Sequence, residues 1–244
     1  MIRTVTTLFW REVESLFFAP LAYIVLTIFL ALNGATFVNA LEVTGGVVSD
    51  TLALYFASVF WICLAFVPAL VTMRSIAEER RTGQLEVTLT APVRDGELVV
   101  AKFLGALFFQ LFLWAPTLLY VVVIKNYGVL PDPGQLITSY VGILCVTALL
   151  TAVGLFFSAV TTNQIVAAVA SITANLALLI GPQMIQTHQY TALRGIIRPL
   201  SISDHFAESF SLGVLDTSEL AFYAAGTAGL LVVATRLLET RRWR

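Results

Sequence analysis

Residues 133–193 read PGQLITSYVGILCVTALLTAVGLFFSAVTTNQIVAAVASITANLALLIGPQMIQTHQYTAL and contain no Asp, Glu, Lys or Arg. A surface built from such a run would not be tolerated by water. A bilayer core of about 30 Å takes roughly 20 apolar residues in a helix. The stretch therefore holds two crossings, 136–157 and 165–185, joined by an uncharged turn at 158–164.

The same pattern recurs on both sides. Four further stretches qualify, at 21–40, 52–73, 103–124 and 220–238, and only Arg236 charges any of the six. A charge at mid-membrane costs about 2.5–3.5 kcal/mol, whereas an arginine near a helix end can snorkel to the headgroups. β-Barrel spans would alternate apolar and polar residues over about ten positions, and VFWICLAFVPALV at 59–71 does not alternate. The expectation is an all-α integral membrane protein with six transmembrane helices, forming one domain over 1–244.

Composition agrees. Hydrophobic residues make up 58 % and charged residues 12 %, against about 25 % charged in soluble domains, and the mean hydropathy is +0.88. A net charge of −1 with no broadly basic face argues against nucleic acid as a partner. Cys63 and Cys145 lie in separate apolar runs, so they read as packing residues rather than a disulfide or a metal site.

Six spans leave both termini on one side. With that side cytoplasmic, eleven basic residues face the cytoplasm and only Lys125, Arg194 and Arg198 face the other way, as the positive-inside rule requires. Residues 1–20 are not a span. Ile2, Val5, Phe9, Val13, Leu16 and Phe17 recur at helical spacing with Arg3, Thr7, Arg11 and Glu14 between them, which predicts an amphipathic helix in the cytoplasmic interface. Pro20 is expected to break it.

Charge gathers in one place. The segment 74–102 holds Arg74, Glu78, Glu79, Arg80, Arg81, Glu86, Arg94, Asp95, Glu97 and Lys102, ten of the chain's 29 charged side chains. A solvated topology signal would explain the charges, but not Leu85, Val87 and Leu89 among them. A helical turn presenting Leu85 and Leu89, rimmed by Arg80, Arg81 and Glu86 and bounded by Gly83 and Pro92, makes an apolar plug with a charged rim, as a docking surface needs. Asp95 reads as the N-cap of the helix that re-enters the membrane at Phe103. Enzymatic readings fare poorly. Glu78-Glu79 lacks the following arginine of EExxxR proteases, with Gly83 in its place, and neither HExxH, GxSxG nor GxxxxGK[ST] occurs.

At this point the chain resembles the permease subunits of type-2 ABC exporters and, more narrowly, their gliding-motility-associated branch. The resemblance runs through AEERRTGQLEVTLTAPVRDGELVVAKFLGAL at 77–107, SDHFAESFSLGVLDTSELAFY at 203–223 and LLETRRWR at 237–244. Glu78, Glu79, Arg80, Gly83, Leu85, Glu86 and Pro92 match the family's E-E-R-x-x-G-x-L-E…P loop, while Val87-Thr88-Leu89 stands where relatives often carry leucines. The resemblance implies a cytoplasmic coupling helix between spans two and three that docks on a separate cytosolic ABC ATPase. That subunit would bind ATP and Mg, with no cofactor in this chain. It also implies a second permease, identical or homologous, in an inner membrane. The alternative is a non-transporting scaffold driven by such an ATPase in motility or assembly; an intramembrane enzyme is a distant third.

Within the spans, Gln110 and Asn175 are the strongest polar groups, and interhelical hydrogen bonds are the plainer reading beside a substrate path. Ala167, Ala170, Ser171 and Ala174 suit close helix packing, and Pro68 and Pro116 predict kinks. The connection 186–219 is expected to be extracytoplasmic, with short amphipathic helices lying at the outer surface and partly dipping into the bilayer. His205 beside Asp204 is expected to be a satisfied surface histidine. The absence of charge within the spans leans toward lipidic or amphipathic cargo.

Overall fold

The computed structural model describes residues 2–45, 47, 51, 55, 60–84, 93–126, 132–187 and 201–242, and among them there are helices and turns but no strand. Helix α1 (Ile2–Phe18) leads through Ala19, which is extended at φ −75° and ψ 128°, into α2 (Pro20–Thr44). The break thus falls at Ala19 rather than at Pro20. Proline opens the next helix, where its missing N–H is no loss. Gly45 ends α2 in the left-handed region at φ 61°, which glycine adopts without the steric cost of a Cβ.

Helix α3 (Phe60–Thr72) continues through Pro68, and a turn at 73–76 leads into the short α4 (Ala77–Arg81). Helix α5 (Asp95–Trp114), a 3-10 turn (Ala115–Thr117) and α6 (Leu118–Asn126) together form one span interrupted at Pro116. Helices α7 (Pro133–Val160) and α8 (Gln164–Thr187) follow. After them come α9 (Ile202–Glu208), a 3-10 turn (Phe210–Leu212) and α10 (Thr217–Arg242).

Six helical stretches are long and apolar enough to cross a membrane: Pro20–Thr44, Phe60–Arg81, Asp95–Lys125, Pro133–Val160, Gln164–Pro182 and Thr217–Thr240. The third begins well before the expected residue 103, because Lys102, which hydropathy treats as a boundary, lies inside the helix and is buried. In the apolar windows of the second and fourth spans 67 % of residues are buried, against 11 % in the sixth. Helices α3 and α7 are thus the centre of the bundle, and α10 is its most exposed span.

Small residues let that centre close. A Cβ on Gly142 of α7 would lie 2.7 Å from Phe210 and 2.8 Å from Phe206, and one on Gly154 would strike Thr72 of α3. Phe29, Phe60, Leu64, Leu113, Trp114, Phe206, Phe210 and Tyr223 join the main apolar cluster. Inside a bilayer such contacts gain dispersion energy and hydrogen bonds rather than release of water.

The connection before the last span is packed more deeply on one face than an outer-surface helix would be. Residues 188–200 lie outside the described set. Helix α9 and its 3-10 turn are amphipathic, leaving Ala207, Glu208 and Leu212 exposed while their aromatic face packs inward. Phe206 and Phe210 are 1 % and 0 % exposed, and the Phe210 carbonyl accepts from the Thr138 hydroxyl at 2.8 Å. Gln135 donates to the Ser211 carbonyl at 2.7 Å and Tyr223 to the Ile202 carbonyl at 3.0 Å. The segment is held in the core because α7 and α10 satisfy its backbone there. His205 contacts Glu219 at 2.6 Å and stacks on Phe222, so its acidic neighbour across the fold is Glu219.

Candidate functional site

The charged segment comes to a point at Lys102, on the second turn of α5. Its side chain is 2 % exposed. The ammonium meets Glu12 Oε2 of α1 at 3.0 Å, Glu79 Oε1 of α4 at 2.9 Å and the Ser75 carbonyl at 2.7 Å. Three N–H donors thus find three oxygens, the full capacity of a lysine. Glu12 Oε1 accepts from the Ser75 hydroxyl at 2.9 Å. Arg11 approaches Glu79 Oε1 at 3.5 Å from its exposed side.

This knot forms because α1 is pressed on α5. Phe9 meets Phe108 edge-on, and Phe17 does the same with Phe109 and Phe112. Gly105 leaves room for the Glu12 stem, since a Cβ there would lie 2.9 Å from it. Removing one partner of a buried ion pair leaves an uncompensated charge. Here each ion has more than one partner, which is why the burial is tolerated. Beside the knot opens a polar pocket of about 230 Å³ lined by Glu12, Arg74, Ser75, Glu79, Gln84 and Lys102.

The same loop is fastened to α7. Ser158 Oγ accepts the backbone N–H groups of Ile76 at 3.1 Å and Ala77 at 3.0 Å. Arg80 donates to the Ala159 carbonyl at 2.9 Å. Arg74 grips Glu78 through two hydrogen bonds, at 2.5 and 3.1 Å. Gly83 sits at φ +75° with open space around it, ending this element in a conformation that a side chain disfavours.

Of the residues singled out from sequence, Glu78, Glu79 and Arg80 are thus engaged internally, Arg81 is exposed, and Gly83 forms the turn. Leu85, Glu86, Leu89 and Pro92 lie outside the described residues. The N-cap is Arg94, not Asp95. Arg94 keeps extended dihedrals, and its N–H is taken by Glu97 Oε2 at 3.3 Å, so Asp95 is the first helical residue.

Gln110 donates to the Thr151 hydroxyl at 2.8 Å and Asn175 to the Ala65 carbonyl at 2.9 Å, each between helices. Ala167, Ser171 and Asn175 line the buried face of α8; Ala170 and Ala174 lie at its half-buried margin. Glu12, Ser75 and Ser158 escape a sequence reading. Glu12 alone leaves a trace, an acid on the face formed by Val5, Leu8 and Leu16.

Six apolar helices, with a charged loop tied to two of them and to α1, define a multi-pass helical membrane protein. Residues 29–188, well over half of the chain, match the model of the ABC-2 family transporter protein, and the chain belongs to that family as an ABC transporter permease subunit. Permease domains of this kind carry no nucleotide-binding motif and typically work with an ATPase partner. No curated protein sequence matches the chain.

Proposed function

We propose that this permease couples ATP hydrolysis by a separate cytosolic ABC ATPase to export, through the segment 74–102. Leu85 and Leu89 seat in a groove of the ATPase, with Arg80, Arg81, Glu86 and the Gly83 and Pro92 boundaries shaping the plug. ATP and Mg stay in the partner. Termini and loop face the cytoplasm of an inner membrane, and a second permease completes the pathway. The segments 203–223 and 237–244 favour the gliding-motility-associated branch.

The observation that carries this reading is the knot at Lys102. A push on the loop reaches α1, α5 and α7 at once through Glu12, Lys102 and Ser158. A docked ATPase shifts an equilibrium only by its differential affinity for two arrangements, and a rigid linkage lets one contact select among positions of three helices. The test is purification of the tagged native complex. Leu85→Asp should insert normally in the membrane yet lose the co-purifying ATP-binding subunit. Retention of that subunit at the wild-type level overturns the reading.

A further inference from the structure

Charge returns on the membrane face opposite the charged loop, where the fifth and sixth spans are joined. His205, in the last turn of α9, holds Nδ1 2.6 Å from Glu219 Oε2, in the first turn of α10. The two side chains are 20 % and 14 % exposed. The imidazole also lies over the ring of Phe222, one turn further along α10, with centroids 4.7 Å apart and planes 27° from parallel.

The contact is one of charge rather than of direction. Glu219 Oε2 is buried and makes no hydrogen bond among the described residues. A buried ionised oxygen left in that state is costly. A neutral imidazole facing it brings no charge to offset the cost. An imidazolium does, and it also sits against the negative face of the Phe222 ring. Both neighbours therefore favour the protonated form.

Few other charges share the region. Asp204 and Glu208 flank His205 on α9, and Asp216 precedes α10. Tyr223 of α10 donates its hydroxyl to the Ile202 carbonyl at 3.0 Å. Helices α3, α7 and α8, which pack around α9 and its 3-10 turn, contribute no Asp, Glu, Lys, Arg or His among the described residues. His188, Arg194 and Arg198, in the same connection, lie outside the described residues.

The pair joins two elements that are held differently. Phe206 and Phe210 anchor α9 and its turn in the core, whereas α10 is the most exposed span. We infer that His205 and Glu219 form a proton-operated latch, which fastens the first turn of α10 to α9 when the imidazole is charged and releases it when the imidazole is neutral. The stabilisation is complete while His205 is protonated in folded and unfolded chains alike, and it is lost as pH rises through the folded titration. The latch is separate from the ATPase docking element and does not depend on it.

The test is hydrogen–deuterium exchange of the purified full chain in mild detergent, read by mass spectrometry on two kinds of hydrogen. Exchange at the imidazole C2 position follows the titration of His205 itself. Its midpoint should lie above that of the same peptide in the denatured chain, and Glu219→Gln should lower it. A wild-type midpoint at or below the denatured value overturns the inference, because another cation then holds Glu219. Amide protection over 217–223, corrected for intrinsic exchange, should fall about tenfold between about pH 6 and about pH 8. Peptides from the middle of α7 should show no such step. His205→Gln keeps a donor without the titration and should abolish the step, whereas Asp204→Asn should retain it. A step that survives His205→Gln, or its absence in wild type, would equally overturn the latch.

Discussion

Ser158 Oγ, at the end of α7, accepts the N–H of Ala77 at 3.0 Å and that of its neighbour Ile76 at 3.1 Å. Both residues are fully buried. A turn between two helices, here α3 and the short α4, exposes donors that the helices cannot use, and one hydroxyl from α7 serves two of them. Ser158→Ala should therefore destabilise the protein by about 1–3 kcal/mol for each donor left unsatisfied. Thermal unfolding in detergent measures this, and an unchanged midpoint would show that the donors find other partners.

Lys102→Met should be the more damaging change. It leaves the Glu12 and Glu79 carboxylates facing one another, each within 3.0 Å of where the same nitrogen stood. Breaking a buried pair this way costs about 3–5 kcal/mol. Adding Glu12→Gln and Glu79→Gln should restore most of the loss. Simple addition of the three effects would show that no shared network exists.

Gly142 tests whether α9 belongs to the core. Gly142→Ala places a methyl group against Phe206 and Phe210 and should cost about 1–3 kcal/mol by overpacking. Gly181→Ala, with nothing within 4 Å, should be neutral. Comparing the two unfolding midpoints separates crowding from the loss of a helical glycine.

Gln110→Leu and Asn175→Leu remove one interhelical hydrogen bond each. Bonds of this kind average about 0.6 kcal/mol within membranes, so each variant should lose roughly that much stability and leave unchanged the ATP hydrolysis of the complex proposed above. A large loss of hydrolysis with unchanged stability would assign the residue to the substrate path.

Asp216 gives the pH dependence a sign. The N–H of Ser218 donates to its carboxylate at 2.9 Å, and that backbone bond, then the Ser218 side chain, hold the carboxyl below the usual aspartate range. A lowered folded value stabilises the start of α10 above the ordinary pKa of about 3.9, and the contribution fades as pH falls through the lowered value. Amide exchange at Ser218, corrected for its intrinsic rate, should accelerate on acidification, and Asp216→Asn should flatten the response.

The six crossings were legible because hydropathy is local: each span is one unbroken run, and its neighbours do not matter. The charged loop was legible for the same reason. Partnership was not. Lys102 is adjacent to Phe103 and looks like a boundary marker, and only the third dimension brings Glu12 and Ser75 around it. Phe206 and Phe210 misled in the opposite sense. Spaced among polar residues they read as an interfacial helix, yet Gly142, a residue with no side chain to advertise a contact, is what admits them to the interior.

Assembly follows a timetable set by the Glu12–Lys102 pair. The two are separated by 90 positions, so Glu12 leaves the ribosome long before the cation that neutralises it exists. Until Lys102 has been made, the first helix carries an acid on its apolar side without that cation. The contacts of the N-terminal helix are therefore complete only once the chain as far as Lys102 has been made.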